Sequence, residues 1–436
     1  MGLIEIAALL LGLLLVLLCF GIWIGLSLAM VGWFGLAVFG TSPPDKNLFT
    51  AFWNATASWE LAALPMFIWM GEILFRTKLS DEMFEGLSPW LRRIPGRLLH
   101  VNILACGLFG SVSGSSAATT ATVAKVALPE LLRRGYDEKV AIGSLATAGG
   151  LGILIPPSIT MVVYAVAADA SIIRIFLAGF LPGFLLMGIF SIYIGIWAVR
   201  NPDKMPPIEP AMSFRQKMYA SRRLIPVSLL ILFITWVLIA GIATATECAA
   251  YGVLGSLAIA WWSKMLTWEN FWTGLMSSTR VSCMIMFILA GAKYLSLTMA
   301  FTGIPIALAE WVSSLNLSPY SLIMVLSVVY ILLGTALDGI SMIVLTAAVV
   351  LPMIKKAGFD LVWFGIFIVL MVEIAEITPP VGFNLFVLQN MTGKDSNTIA
   401  RASIPFFFCL IACVIALTVF PEIVTWLPDF VMGKEQ

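Results

Sequence analysis

Four segments of this sequence place small, polar and proline residues inside long apolar stretches. Two are rich in glycine, serine and threonine, at residues 110–120 (GSVSGSSAATT) and 334–341 (GTALDGIS). The other two contain a Pro-Pro pair, at residues 149–158 (GGLGILIPPS) and 373–384 (EIAEITPPVGFN). Each segment therefore offers backbone carbonyls, hydroxyls or carboxylates where a plain apolar helix would offer none.

The Pro-Pro segments favour cation coordination by the main chain. Two successive prolines remove two amide donors and disfavour helical backbone at the preceding residue, so carbonyl oxygens are left free at the break. Sodium is a hard cation that favours oxygen ligands, which discontinuous membrane helices can supply. The half-helix that starts after each break presents its positive end to an anionic group. Close packing of small residues or simple helix kinking is the alternative explanation for any one segment.

Three acidic residues lie within these segments: Asp338, Glu373 and Glu376. Acidic side chains inside apolar segments are costly and mark candidate functional sites. A turn in its segment would place Asp338 at a hairpin tip, where it could face an aqueous cavity and accept hydrogen bonds. Glu373 and Glu376 are equally consistent with a paired structural role. Glu247 and Lys293, in other apolar segments, are a candidate ion pair.

The surrounding sequence places the chain in a membrane. Of its 436 residues, 60% are hydrophobic and 11% are charged, whereas a soluble domain carries about 25% charged residues. Because a transmembrane helix needs roughly 20 mainly apolar residues, we predict about ten spans. They lie near residues 3–20, 22–40, 57–75, 140–168, 173–198, 224–242, 244–263, 272–300, 361–390 and 402–428. The first lacks a basic flank and a cleavage site, so we expect it to be retained.

The charge and the reactive residues exclude several functions. The formal net charge of +1 implies neither nucleic-acid binding nor a strongly anionic partner. None of the six cysteines forms a metal-ligand spacing with the single histidine, His100. His100 also lies outside the serine-rich segment, and the sequence has no Gly-x-Ser-x-Gly motif. We therefore predict that the protein has no cofactor and is not an enzyme.

The four unusual segments occur as two pairs within an internal repeat. At an offset of 223 residues, Val126–Pro129 matches Val349–Pro352, and Pro156-Pro157 matches Pro379-Pro380. The order and spacing of these matches make chance recurrence in apolar sequence an unlikely explanation. Such internal repeats are typical of membrane transporters that bind their substrate between two halves.

The distribution of basic residues predicts that the two halves are inverted. Residues 76–100 carry five Lys or Arg, whereas the corresponding residues 299–323 carry none. Because basic loops stay on the cytoplasmic side, corresponding loops would lie on opposite sides of the membrane. We therefore predict an all-α integral membrane protein with two inverted-topology repeats. Each repeat has about five transmembrane helices plus one re-entrant helical hairpin, at 101–139 and 324–360. Residues 79–99 read as an interfacial amphipathic stretch.

At these positions the chain resembles the large, DctM-like membrane subunit of tripartite ATP-independent periplasmic (TRAP) transporters, within the wider ion-transporter superfamily. The most specific motifs are GSVSGSSAAT from 110, VALPEL from 126, GILIPPS from 152 and TPPVGFN from 378. The resemblance covers nearly the whole chain. It implies a multi-pass location in the bacterial cytoplasmic (inner) membrane and an elevator mechanism, in which a transport unit moves against a fixed scaffold.

The elevator arrangement implies a division of the chain into five parts. We assign scaffold helices and the interfacial arm to 1–100, the first half of the transport unit to 101–170, and connecting and scaffold helices to 171–323. The second half of the transport unit is 324–392, and a C-terminal helix is 393–436.

The resemblance also implies partners. A small four-helix membrane subunit would belong to the same transporter, and a periplasmic binding protein would deliver a small organic acid. Because the sequence starts directly with the first repeat, we expect the small subunit to be a separate polypeptide. Membrane lipid is the remaining partner, and sodium is the expected coupling ion.

Carried over by motif, the resemblance implies one sodium ion beside each hairpin. The first sodium site would use Ser113, Ser116, Gly152, Ile155 and Pro157. The second would use Gly339, Ala375, Thr378 and Val381, with the Thr378 hydroxyl as the expected side-chain ligand. The repeat offset supports this, since Gly152 and Ile155 map onto Ala375 and Thr378. Ala375 replaces a glycine often seen in the family.

The substrate would lie between the hairpin tips. The expected substrate-binding residues are Ser115, Ser158, Asp338 and Asn384. Family substrates are mostly carboxylates, including dicarboxylates and sugar acids, but no basic residue in the four segments identifies one. A stand-alone sodium-driven organic-anion carrier of the same superfamily, working without a binding protein, is the alternative. A channel is less consistent with broken helices paired across a repeat.

Overall fold

The computed structural model describes residues 2–40, 42–77, 79–207, 212–304, 307, 310, 318–335, 337–379 and 382–434. All regular structure in these ranges is helical. In the first half the helices are α1 (Leu3–Cys19), α2 (Ile24–Phe39), α3 (Pro44–Thr56), α4 (Ala63–Phe75), α5 (Leu79–Leu91), α6 (Leu98–Ser113), α7 (Ser116–Arg133), α8 (Glu138–Ala148), α9 (Leu151–Leu154), α10 (Ile159–Ala168) and α11 (Ile172–Arg200).

The second half follows a connector that contains α12 (Phe214–Ser221). Its helices are α13 (Ile225–Ile239), α14 (Ala245–Trp262), α15 (Trp268–Thr302), α16 (Pro319–Gly334), α17 (Gly339–Lys356), α18 (Leu361–Glu376), α19 (Phe383–Thr392), α20 (Ser396–Val419) and α21 (Glu422–Met432).

Local sequence explains where many of these helices begin. A serine, threonine or aspartate side chain at the N-cap accepts a hydrogen bond from a first-turn amide, which that helix cannot satisfy internally. Residues acting in this way are Ser115, Asp137, Ser158, Ser171, Ser213, Thr244, Thr267, Ser318, Asp338 and Asp360. The polar residues of the hairpin tips and breaks therefore act first as helix-starting signals.

The hairpin and the broken helix of the first half recur in the second half. The hairpin α6–α7 corresponds to α16–α17, and Gly339, at the start of α17, lies 223 positions after Ser116 at the start of α7. The same spacing separates the starts of α8 and α18, at Glu138 and Leu361. The offset found in the sequence therefore holds for the folded elements.

Within the described residues, five helices are long and apolar enough to cross a membrane. A sixth span results if the segments Glu138–Leu154 and Ile159–Ala168, bent by 46° at their junction, count as one. Shorter apolar helices account for other predicted spans and for one arm of each hairpin. Every predicted span contains a helix, and together with the apolar helices above this confirms an all-α integral membrane protein.

Two boundaries differ from the prediction. The span predicted at 402–428 is wrong as one element, because the helix ends at Val419 and a new helix begins at Glu422. Residues 393–436 therefore hold two helices where one was expected. In addition, the structure contains α3 between the second and third predicted spans. Its first turn is polar, so the search for apolar stretches did not predict it.

The core is formed by the broken helices. Residues 140–165 and 362–375 are buried without exception. By contrast, α13 exposes Leu229, Leu232 and Trp236. Exposed apolar side chains on peripheral helices are expected where a protein faces lipid. The polar backbone of the first break is thus enclosed by protein, as a membrane requires.

Candidate functional site

The tip of the first hairpin is a tight turn between α6 and α7. Gly114 has a φ of 61°, a left-handed conformation that glycine adopts without strain. The Ser115 hydroxyl accepts a hydrogen bond from the Ala118 amide at 3.4 Å. The Thr119 hydroxyl donates to the Ser115 carbonyl at 2.7 Å and lies 2.7 Å from the Ser113 hydroxyl. The turn predicted within 110–120 is confirmed, and the hydroxyls of Ser113 and Thr119 at this turn are hydrogen-bonded to each other.

The second hairpin has an acidic tip. Asp338 caps α17, and its carboxylate accepts hydrogen bonds from the Ser341 amide at 3.2 Å and from the Ser341 hydroxyl. The prediction that Asp338 lies at a hairpin tip is confirmed. Its carboxylate is half-buried, and it also stabilises the positive end of a helix.

The first helix break spans the end of α8, the single turn α9 and the start of α10. The Pro156-Pro157 peptide is cis. Ser158 caps α10, where its hydroxyl accepts from the Met161 amide at 3.4 Å and donates to the Ile153 carbonyl at 2.7 Å. The helix interruption expected at the prolines is therefore present.

The second break separates α18 from α19. The Thr378 hydroxyl donates to the Ile374 carbonyl at 2.6 Å. Gly382, with a φ of 46°, is the N-cap of α19 and has no side chain to cap the helix. Val381, one of the expected sodium ligands, lies outside the described residues.

In each half, a hairpin arm packs directly on a helix break. A Cβ atom at Gly110 would lie 2.2 Å from the Cα atom of Gly152, so the two backbones touch. In the second half, a Cβ atom at Gly334 would lie 2.0 Å from the Cβ atom of Ala375. These contacts bring the expected sodium-ligand segments of each half together. In the first site the first hairpin lies against Gly152, and in the second site the second hairpin lies against Ala375.

The two halves meet through buried polar side chains. The Asn384 amide donates to the Ser116 hydroxyl at 2.7 Å and to the Ala146 carbonyl at 3.0 Å. Ser116 also lies close to the carboxyl group of Glu376. An expected sodium residue, Ser116, therefore touches an expected substrate residue, Asn384, which joins the two predicted sites.

Several buried oxygens at this meeting point have no hydrogen-bond partner in the part of the chain that the structure describes. They are both carboxylate oxygens of Glu373, Oε2 of Glu376, Oδ1 of Asn384 and the Thr120 hydroxyl. Buried polar groups are normally satisfied, because an unmade hydrogen bond costs about 1–3 kcal/mol. The cluster fits a cation or a hydrogen-bonding ligand.

Glu373 and Thr120 lie close to the two glycines that open the first break. A Cβ atom at Gly150 would lie 2.1 Å from Cγ of Glu373, and one at Gly149 would lie 1.8 Å from the Thr120 hydroxyl. Gly150 and Glu373 are also 223 positions apart, so corresponding positions of the two halves contact each other. Thr120 and Gly150 are not among the predicted site residues, although they lie in the polar segments 110–120 and 149–158.

Three of the four expected substrate residues are helix caps. The side chains of Ser115, Ser158 and Asp338 already accept hydrogen bonds from first-turn amides. A ligand that binds them would share those oxygens. Asn384 is different, because it is buried and bridges the two halves.

The expected Glu247–Lys293 ion pair is wrong. Glu247 forms a capping box with Thr244 at the start of α14. Lys293 instead binds Asp169 at 2.7 Å, linking α15 to the residue that follows α10. This pairing could not be predicted from the sequence, because it depends on how two helices distant along the chain pack together.

This arrangement defines the class of the protein. Two helical hairpins packed on two broken helices, inside a multi-pass membrane protein with an internal repeat, are typical of secondary transporters. The chain belongs to the family described as "Tripartite ATP-independent periplasmic transporter, DctM component", whose sequence profile matches residues 11–423. It is therefore a multi-pass membrane permease subunit and not an enzyme.

Individual relatives agree with this assignment. The C4-dicarboxylate TRAP transporter large permease protein DctM of Pseudomonas aeruginosa is 33% identical over 89% of this chain and 91% of that protein. The protein of the same name from Rhodobacter capsulatus is 31% identical over 97% and 99%. The ectoine/5-hydroxyectoine TRAP transporter large permease protein UehC of Ruegeria pomeroyi is 30% identical over 86% and 87%.

A solved structure shares the fold. The YdaH transporter of Alcanivorax borkumensis aligns with a TM-score of 0.66, covering 91% of this chain and 97% of that one. At 12% identity, this likeness supports the architecture only.

Proposed function

We propose that this subunit carries out sodium-coupled uptake of a small organic acid that a periplasmic binding protein delivers. The observation that carries the proposal is the paired packing of hairpin arms on helix breaks, at Gly110–Gly152 and Gly334–Ala375. The unpartnered buried oxygens of Glu373, Glu376, Asn384 and Thr120 lie where these elements of the two halves meet.

The proposed sodium sites depend mainly on main-chain and hydroxyl oxygens. Within the described residues, no group of three or more His, Cys, Asp or Glu side chains could hold a metal ion. Ser113, Ser116, Gly152, Ile155 and Pro157 would form the first site, in line with the preference of sodium for oxygen ligands. Gly339, Ala375 and Thr378 would form the described part of the second. The Thr378 hydroxyl donates to Ile374, which leaves its lone pairs available to a cation.

The proposed substrate is a carboxylate. Two of the relatives above are named for C4-dicarboxylates. The first amides of α19, capped by a glycine that offers no side chain, lie beside Asn384 and could bind a carboxylate. Together with Asp338, Ser115 and Ser158, they would enclose the substrate between the hairpin tips.

The proposed movement is of the elevator type, with two inverted repeats. The hairpins and broken helices would move together, because they form the buried centre of the fold, while the peripheral helices stay fixed in lipid. A small four-helix membrane subunit would complete the complex in the bacterial inner membrane, as the family's three-component description suggests.

Uptake of labelled C4-dicarboxylate into proteoliposomes tests the proposal. The vesicles would contain this subunit and its small partner, with an inward sodium gradient, with and without the binding protein. Thr378→Val should abolish sodium-driven uptake, whereas Thr378→Ser, which keeps the hydroxyl, should retain most of it. Uptake that does not depend on the sodium gradient would contradict the proposed ion sites. Sodium-driven uptake that ignores the binding protein would favour the stand-alone carrier.

A further inference from the structure

A basic recess lies outside the candidate site described above. A cavity of about 570 Å³ is enclosed by α5, the last turns of α7 and the connector helix α12. A second cavity of about 210 Å³ shares Ser88, Arg92 and Arg134 with it and extends to Arg97. Because they share three residues, the two cavities are parts of one recess, which we call the arm pocket.

The arm pocket has an excess of positive charge. Arg92, Arg97, Arg133 and Arg134 line it, against the acidic residues Glu85 and Glu130. Glu130 is engaged by Arg133 at 2.7 Å and by Arg134 at 2.6 Å.

Arg92 differs from the other arginines of the pocket. Arg97 donates to the Pro206 carbonyl. Nη1 of Arg92 is buried and has no hydrogen-bond partner among the residues that the structure describes. Arg92 also lines both cavities. A buried guanidinium donor without a partner is costly, and carboxylate or phosphate oxygens match its geometry.

The segments that line the pocket also carry exposed apolar side chains, which we call its rim. Trp90, Ile94 and Phe214 are exposed, and the rings of Trp90 and Phe214 meet edge to face with centroids 6.0 Å apart. Lys217 lies over the Trp90 ring at 5.4 Å. Tryptophan and basic residues together are enriched at the level of lipid headgroups.

We propose that the arm pocket binds the phosphate of an anionic phospholipid, with Arg92 as the main ligand and the acyl chains on the exposed apolar rim. This assignment relies on the predicted topology, which puts the basic segment 76–100 on the cytoplasmic side. Basic pockets between helices on that side are known to bind anionic headgroups. The lipid would hold together the interfacial helix α5, the connector helix α12 and the end of α7.

Thermal unfolding of the full chain in neutral detergent tests the proposal. The added ligands are phosphatidylglycerol, phosphatidylcholine and inorganic phosphate. The variants are Arg92→Gln and a matched control, Arg93→Gln, since Arg93 is exposed and lines neither cavity. We expect phosphatidylglycerol to stabilise the wild type and Arg93→Gln. Its apparent affinity should fall about tenfold or more in Arg92→Gln, the loss expected for one charge-assisted hydrogen bond.

Three outcomes would overturn the assignment. One is equal stabilisation by phosphatidylcholine, and another is an equal loss in Arg92→Gln and Arg93→Gln. The third is stabilisation by inorganic phosphate that matches phosphatidylglycerol and needs Arg92, because the ligand would then be a soluble phosphate. If Arg92→Gln does not fold, Arg92→Lys, which keeps the charge, takes its place. The comparison of phosphatidylglycerol with phosphatidylcholine on the wild type also tests the assignment. Sodium-driven uptake is measured separately, so failure here leaves the transport proposal intact.

Discussion

Asn384, in the second half of the chain, donates a hydrogen bond of 2.7 Å to Ser116, at the start of α7 in the first half. The same amide nitrogen donates to the Ala146 carbonyl at 3.0 Å. One side chain thus joins the second broken helix to the first hairpin and the first broken helix. The halves are therefore coupled at the centre of the proposed site.

Asn384→Ala should destabilise the protein. It removes a buried side chain that makes two hydrogen bonds and leaves Ser116 and Ala146 without them, at a cost of about 1–3 kcal/mol. The measurement is thermal unfolding of the purified subunit, together with substrate uptake. Asn390→Ala is the control, because Asn390 lies on the same helix and is exposed. An equal effect of the two variants would contradict the role given to Asn384.

The glycine contacts predict an asymmetric rescue. Gly334→Ala should be severely destabilising, because its new methyl group would lie 2.0 Å from the Ala375 methyl group. Adding Ala375→Gly removes that methyl group and should restore much of the lost stability. Gly110→Ala should have no such rescue, because its clash is with the Gly152 backbone at 2.2 Å.

Expression and melting temperature of these variants provide the measurement. Gly188→Ala is the control, since a Cβ atom there meets nothing within 4 Å, and alanine is the better helix former by about 1 kcal/mol. If Gly334→Ala is as stable as Gly188→Ala, the hairpin arm does not pack on the break as described.

Much of this arrangement is readable from the sequence, for a physical reason. Pro-Pro pairs and glycine-serine runs interrupt helices through local backbone chemistry, so the breaks and hairpin turns follow from neighbouring residues. The 223-residue offset adds long-range information, because related segments fold in the same way. The predicted turns at 110–120 and 334–341 are confirmed for this reason.

Pairings between distant helices are a different matter. The Lys293–Asp169 and Asn384–Ser116 contacts depend on how helices are placed in three dimensions. Glu247 misled the prediction because an acid at the third position of a helix after threonine is also a capping box. The same local role occupies Ser115, Ser158 and Asp338, which a polarity search alone reads as ligand-binding residues.

The Lys293–Asp169 ion pair should affect transport more than stability. Asp169 is 84% exposed in its side chain, and surface ion pairs contribute about 0–1 kcal/mol. The pair nevertheless joins α15, in the proposed scaffold, to the end of α10, in the proposed transport unit, so the proposed movement must break it. Asp169→Lys would repel Lys293 and destabilise the state in which the pair forms, so uptake should slow because the return to that state is disfavoured, and Asp169→Lys with Lys293→Asp should restore it.

The control for this exchange is another exposed pair. Lys394 binds Glu138 at 2.8 Å, and neither residue lies in the proposed scaffold. Glu138→Lys should therefore change uptake less than Asp169→Lys does. Similar uptake by the wild type and by Asp169→Lys would show that this contact does not control the movement.

Glu373 provides a test of what the centre of the site binds. Its carboxylate is fully buried and contacts Gly150, and neither oxygen has a hydrogen-bond partner in the described residues. Burying an isolated charge is costly, so Glu373→Gln should raise the melting temperature in sodium-free buffer. In sodium-containing buffer, the melting temperature of the wild type should rise to that of Glu373→Gln if a cation binds close to the carboxylate. Glu422→Gln, at an exposed position, should change stability by less than about 0.5 kcal/mol in both buffers. A variant Glu373→Gln that is less stable than the wild type without sodium would mean that another group already satisfies the Glu373 carboxylate and that no cation is needed beside it.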